Sequence, residues 1–174
     1  MRQGYKIAIC GKGGVGKTTI ASGLINLFIQ DGKKVVAVDC DPDINLGYSI
    51  NFPDYQNIIP IVRMKELIAE RTESSPNSLG GFFKLNPRVD DIPEKFCPES
   101  KGVRLIVMGK VSKAAGGCLC PENSFTRSLI NHLILSKDQV VVMDMVAGSE
   151  HLGRATARYV DAFDKVVKHA KNVI

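Results

Sequence analysis

Two lysines, two threonines and four glycines crowded into nine positions carry the most specific chemistry in the chain. The run Gly11-Lys12-Gly13-Gly14-Val15-Gly16-Lys17-Thr18-Thr19 follows a short apolar stretch, Ile7-Ala8-Ile9-Cys10. Closely spaced glycines let successive backbone N–H groups turn inward around a phosphate chain, a lysine adds positive charge, and a hydroxyl can ligate Mg²⁺. Lys17 and Thr18 stand at the positions for those last two roles. Beyond the loop, Ile20, Leu24, Leu27 and Phe28 recur at helical spacing. The loop is therefore expected on a strand-to-helix turn, with its anion at the helix N-terminus. Nucleotide binding is the chemistry this implies.

A magnesium nucleotide also needs carboxylates, and two apolar runs end in them. Residues 34–38 form a predicted strand rich in β-branched side chains, followed by Asp39-Cys40-Asp41-Pro42-Asp43-Ile44-Asn45. The carboxyl ends of strands are where open parallel sheets gather ligands. An ordinary acidic loop is the competing reading. Residues 139–145 form another predicted strand, which delivers Asp144 in the Walker B manner, its carboxylate reaching Mg²⁺ through water. Ala147-Gly148-Ser149-Glu150 follows, and the Gly148 N–H can approach a γ-phosphate because no Cβ stands in the way.

Cys118 and Cys120 make a second chemical feature, in Gly116-Gly117-Cys118-Leu119-Cys120-Pro121. Thiols one residue apart make a poor disulfide but a bidentate metal clamp. Zinc in structural sites takes four ligands, and nickel accepts four thiolates, so two copies of the pair across a two-fold axis would complete a site. Two unrelated loop cysteines remain the alternative. His151 and Arg154 could reach phosphate or metal, and a surface or packing role suits them better. Cys10 and Cys40 flank apolar strands and read as small buried hydrophobes, while Cys97 has no partner in its own loop.

The elements that must hold these groups alternate strand and helix. Asp31-Gly32 ends the first helix. Pro60 precedes an amphipathic helix with Met64, Leu67 and Ile68 on one side. Residues 71–81 read as a loop, and Asn86-Pro87, Ile92-Pro93 and Cys97-Pro98 continue an irregular, partner-facing stretch. A strand over 103–108 and a helix over about 121–135 complete the pattern. The fold class expected is α/β, a mostly parallel sheet flanked by helices in a single domain spanning residues 1–174. Its last segment, 162–174, places Ala162, Phe163, Val166, Val167, Ala170 and Ile174 on one helical face and is expected as a helical tail.

With 44% apolar and 24% charged residues and no apolar run of spanning length, the composition is that of a globular protein rather than a membrane one. The loop begins too near the N-terminus to leave room for a signal peptide. Five cysteines, an odd number, argue for reduced thiols and a cytoplasmic setting. A net charge of +5 includes Lys12 and Lys17, and no helix-turn-helix or aromatic-interleaved basic stripe accompanies it, so neither nucleic acid nor membrane is expected as a partner.

Lys12 beside the first glycine gives the loop a form that resembles the deviant Walker A motif of the MinD, ParA and nitrogenase iron protein family. The resemblance implies a homodimer that closes with ATP, in which Lys12 reaches the partner's phosphates as an arginine finger does, an effect of about 10³ to 10⁵ in rate. It further implies that Asp41 orients the attacking water, that Asp39 lies near the Mg²⁺ shell, and that Asn45 is a polar switch residue. Residues 82–93 (Phe-Phe-Lys-Leu-Asn-Pro-Arg-Val-Asp-Asp-Ile-Pro), Val107-Met108-Gly109, the Cys118/Cys120 loop and the run from Asp144 to Arg154 together look like the CooC-type carbon monoxide dehydrogenase maturation ATPases.

That likeness runs from the first strand to about Asp161. It implies an ATP-hydrolysing protein that holds nickel or zinc between the paired cysteines of two subunits and assists nickel loading of carbon monoxide dehydrogenase. Val146 departs from it, standing where relatives tend to carry an acidic residue. Relatives also continue with further strands that enclose the base, so the chain is expected to be truncated and to discriminate weakly between ATP and GTP. A ParA- or MinD-like positioning protein, or a fragment that binds nucleotide weakly, are the alternatives.

Overall fold

The computed structural model describes residues 4–41, 44–74, 82–109, 121–133, 138–145 and the strand at 162–163. Strand β1 (Tyr5–Ile9) leads through the glycine loop into helix α1 (Lys17–Gln30). Strand β2 (Lys34–Asp39) and the short helix α2 (Asn45–Ser49) follow. Two 3-10 turns, Tyr55–Asn57 and Ile61–Arg63, lead to helix α3 (Lys65–Thr72) and then to helix α4 (Ile92–Phe96). Strands β3 (Glu99–Ser100) and β4 (Val103–Val107), helix α5 (Pro121–Asn131), and strands β5 (Gln139–Asp144) and β6 (Ala162–Phe163) complete the described elements.

Among the described residues the sheet order is β3-β4-β2-β5-β1-β6, with only the β3–β4 pairing antiparallel. Parallel central strands must be covered on both faces, which is why β2 (Lys-Val-Val-Ala-Val-Asp) and β5 (Gln-Val-Val-Val-Met-Asp) are almost continuously apolar and buried. Alternate residues feed two cores. Val36, Val38, Ile106, Val141 and Met143 pack with Ile68, Ile92, Phe125 and Leu129 on one face. Val35, Ala37, Leu105, Val140 and Val142 pack with Ala21, Ile25 and Leu46 on the other.

Helix α1 ends as its Asp31-Gly32 pair predicts. Gly32 sits at φ +72°, a left-handed conformation that suits glycine, while the Lys33 N–H donates to Phe28 O and the Gly32 N–H to Ile29 O. The apolar face of α1 differs from the expected one at Leu27, which is 57% exposed. Ala21 and Ile25 are the fully buried apolar positions, with Ile20, Leu24 and Phe28 packed beside them.

Three further expectations are corrected. The 71–81 loop begins later, because α3 runs to Thr72, whose hydroxyl donates to Ile68 O. The irregular stretch contains α4, docked by an Arg71–Asp91 ion pair in which both guanidinium Nη atoms donate to the carboxylate at 2.9 and 2.8 Å. The helical reading of the tail fails at Ala162–Phe163, which pairs parallel with Ile7 and Ala8. Tertiary pairing overrides spacing there, because β1 without a neighbour would present a row of unpaired backbone groups. Residues 164–174 lie outside the described residues.

Candidate functional site

The strand order fixes where the chemistry gathers. Strand β5 lies between β1 and β2, although β1 leads directly through α1 to β2, so the crossovers diverge around it. In open parallel sheets a ligand crevice forms beyond the strand ends at such a switch point. Here Ile9, Asp144 and Asp39 are paired in one register row at the carboxyl ends of β1, β5 and β2.

The glycine loop projects over that row. Gly14 and Gly16 have φ of +77° and +87°, so each needs the freedom of glycine even though nothing crowds the place a Cβ would take. Gly16 is the N-cap of α1, no side chain caps the helix, and its first turn has no acidic residue. Its N-terminal N–H groups and the positive end of its dipole are thus directed to an anion supplied from outside the chain. Lys17, at the first helical position, is 9% exposed and donates from Nζ to Lys12 O at 3.3 Å. The Lys12 side chain is exposed.

Beneath the loop, the Thr18 hydroxyl donates to Asp144 Oδ2 at 2.6 Å. Asp144 is 1% exposed, and burial raises its pKa while the Thr18 hydrogen bond and the Lys17 charge pull it back down. A buried carboxylate still raised after those two contributions favours a further cation nearby. Thr18 and Asp144 offer hard oxygen donors next to an anion cradle, a combination that fits a magnesium nucleotide.

Asp39 has no exposure at all. Its Oδ1 accepts the Asp41 N–H at 2.9 Å and its Oδ2 the Leu46 N–H at 3.0 Å. Burial raises its pKa to about 6 in spite of both hydrogen bonds, and the Asp144 and Asp41 charges add to the rise. Asn45, the expected polar switch residue, is exposed at the start of α2. The family resemblance put Asp39 near magnesium. It missed the grip on the backbone, for which the available signal was a strand-ending carboxylate shortly before a helix start.

The structure thus brings together Lys17, Thr18, Asp39 and Asp144 below the loop, with Asp41 tied to Asp39 through its backbone. Cys118, Cys120, Val146, Gly148, His151 and Arg154 lie outside the described residues. Among the described residues no group of three or more His, Cys, Asp or Glu is arranged to hold a metal. Before the cysteine pair the described chain runs to Gly109, where a Cβ would come within 2.7 Å of Val62 Cγ2 and 2.8 Å of Pro60 Cβ. After it the described chain resumes at α5, which is fastened by Ser124 Oγ donating to Leu85 O at 2.7 Å. Cys40 and Cys97 are buried free thiols, as read for Cys40, and burial pushes the Cys97 thiol up to about 12 and the Cys40 thiol higher. No helix among the described residues is long and apolar enough to cross a membrane.

Residues 6–172 match the CobQ/CobB/MinD/ParA nucleotide binding domain. An uncharacterized ATP-binding protein of Methanocaldococcus jannaschii is 45% identical over 95% of this chain and 64% of its own length. The carbon monoxide dehydrogenase accessory protein CooC of Rhodospirillum rubrum is 44% identical over 94% of this chain and 62% of its own length. A light-independent protochlorophyllide reductase iron-sulfur ATP-binding protein of Prochlorococcus marinus is 32% identical over 80% of this chain and 41% of its own length. The chain therefore spans a little under two thirds of the first two relatives.

Proposed function

Since the chain belongs to the CobQ/CobB/MinD/ParA family of nucleotide-binding domains, we propose that it is an ATP-hydrolysing accessory protein for carbon monoxide dehydrogenase maturation. The observation that carries the ATPase reading is the 2.6 Å contact between Thr18 and buried Asp144 below an uncapped helix N-terminus that also bears Lys17. In this reading the glycine loop and Lys17 hold the phosphates, Thr18 and Asp144 hold Mg²⁺, and Gly148 meets the γ-phosphate. Magnesium, when bound, neutralises charge on the phosphate oxygens. Asp41 orients the attacking water, and Lys12, exposed on the loop, reaches a second copy of the chain. The phosphoryl group passes to water, giving ADP and phosphate.

The accessory role is supported by the 44% identity to CooC of Rhodospirillum rubrum and by the cysteine pair at 118 and 120. Two such pairs, one from each subunit of a homodimer, would hold nickel or zinc as cargo for the dehydrogenase. Light scattering with metal analysis, on the wild-type chain and on Cys118→Ala/Cys120→Ala, tests this with and without ATP. One metal per dimer, lost in the double variant along with the metal-induced dimer, is the expected result. A double variant that keeps its metal removes the cysteine pair from the proposal.

A further inference from the structure

Ile44, immediately before α2, has to hold an unfavourable backbone shape. Ile44 lies at φ +45°, ψ +55°, the left-handed region that a β-branched residue seldom enters unless the surroundings impose it. Its side chain packs against the core on the α1 face of the sheet, so the residue is held there rather than turned out to solvent. On one side of Ile44 lies Asp41, and on the other Leu46. Their N–H groups are the two that Asp39 accepts, one on each carboxylate oxygen. The Ile44 N–H itself donates back to Asp41 O at 3.4 Å. Asp39 is in turn anchored by the sheet, paired with Asp144 on one side and Val107 on the other.

We propose that Asp39 is a positioning residue for hydrolysis: it clamps the backbone on both sides of Ile44 and so fixes Asp41 over the end of β2, rather than serving as a magnesium ligand. This rests on the ATPase reading for its catalytic consequence. The clamp itself does not. A carboxylate suits the task because it offers two acceptor oxygens to two N–H donors at once, and such charge-assisted bonds are short and strong. An asparagine in the same place keeps one acceptor and sets an N–H₂ group against the second N–H. Magnesium ligation predicts a different pattern of loss, because a ligand would be felt in metal affinity, whereas a clamp acts through Asp41.

The test combines hydrogen exchange with enzyme kinetics on the full 174-residue chain. In the nucleotide-free wild type the amides of Asp41 and Leu46 should exchange at least tenfold more slowly than exposed loop amides, and in Asp39→Asn at least one of the two should lose that protection. In kinetics, Asp39→Asn should lower kcat at least tenfold while KM for ATP and the Mg²⁺ concentration for half-maximal rate stay within threefold. The Asp39→Asn/Asp41→Ala double variant should be no slower than Asp41→Ala alone, since residues acting as a unit are not additive. Unprotected Asp41 and Leu46 amides in the wild type overturn the clamp without any variant having to fold. A raised Mg²⁺ requirement in Asp39→Asn, with amide protection intact, also overturns it and makes Asp39 a ligand. A wild type that shows amide protection but no ATP turnover refutes the ATPase reading and leaves the clamp standing.

Discussion

Replacing Lys17 by alanine separates what the loop does for a ligand from what it does for the fold. The side chain is 9% exposed, stands at the first turn of α1, and spends its visible hydrogen bond on Lys12 O at 3.3 Å. A charged group poised at a helix N-terminus would exchange that bond for charge-assisted bonds to phosphate, each worth about 1.5 to 3 kcal/mol. Two such bonds amount to about 3 to 6 kcal/mol, or about 10² to 10⁴ in dissociation constant. Thermal melting reads this directly. With Mg-ATP at 100 times the wild-type dissociation constant the wild type gains about 2.7 kcal/mol, a rise of about 5 to 11 °C for a chain of this size. Lys17→Ala, weakened at least 100-fold, gains about 0.4 kcal/mol and moves by about 2 °C or less. The ligand-induced shift is the right quantity, because the substitution also removes the cation that lowers the Asp144 pKa and so alters the unliganded protein. A wild-type shift in Lys17→Ala would refute the phosphate role of this lysine.

Asp91, held by Arg71 and Lys95, has its pKa well below the usual carboxylate range. A depressed folded-state pKa adds stability that is complete above the unfolded value and is lost as pH falls toward the folded one. Urea melts should therefore find Asp91→Asn less stable by about 1 to 2 kcal/mol at pH 7, with the difference shrinking below about pH 4; a gap independent of pH contradicts the pairing. Gly47→Ala puts a Cβ 3.2 Å from Leu105 Cδ2 and 2.7 Å from Tyr55 Cβ, an atom that no side-chain rotation moves away. Overpacking costs about 1 to 3 kcal/mol and helix propensity returns up to about 1, so the melting point should fall by a few degrees. An unchanged or higher melting point would show that α2 moves freely.

The central strands, the glycine loop and the strand-ending carboxylates were legible because local rules and tertiary demands coincide in them. The Ile7-Ala8-Ile9 run, the glycine loop and the carboxylates ending β2 and β5 occupy the positions that a parallel sheet with a ligand at its carboxyl edge requires. Short elements were not legible. Helices α2 and α4 have five residues each, too few to display a helical period, and α4 is held in place by the Arg71–Asp91 pair rather than by its own pattern. Ala162 and Phe163 fit a helical face as well as an edge strand, and the open side of β1 decides between them. Leu27 has the right spacing for the core and faces water, because the stripe α1 buries is centred on Ala21 and Ile25. The two hydrogen bonds of Asp39 depend on how the chain turns back at Ile44, which no spacing rule encodes.

Single-turnover phosphate release by the wild type and by Asp41→Ala, each saturated with Mg-ATP, tests the hydrolytic reading most directly. The expected result is near-equal binding of ATP by the two proteins, measurable release by the wild type, and release at least tenfold slower in Asp41→Ala. Equal release from both, or none from a wild type that binds Mg-ATP, would contradict it.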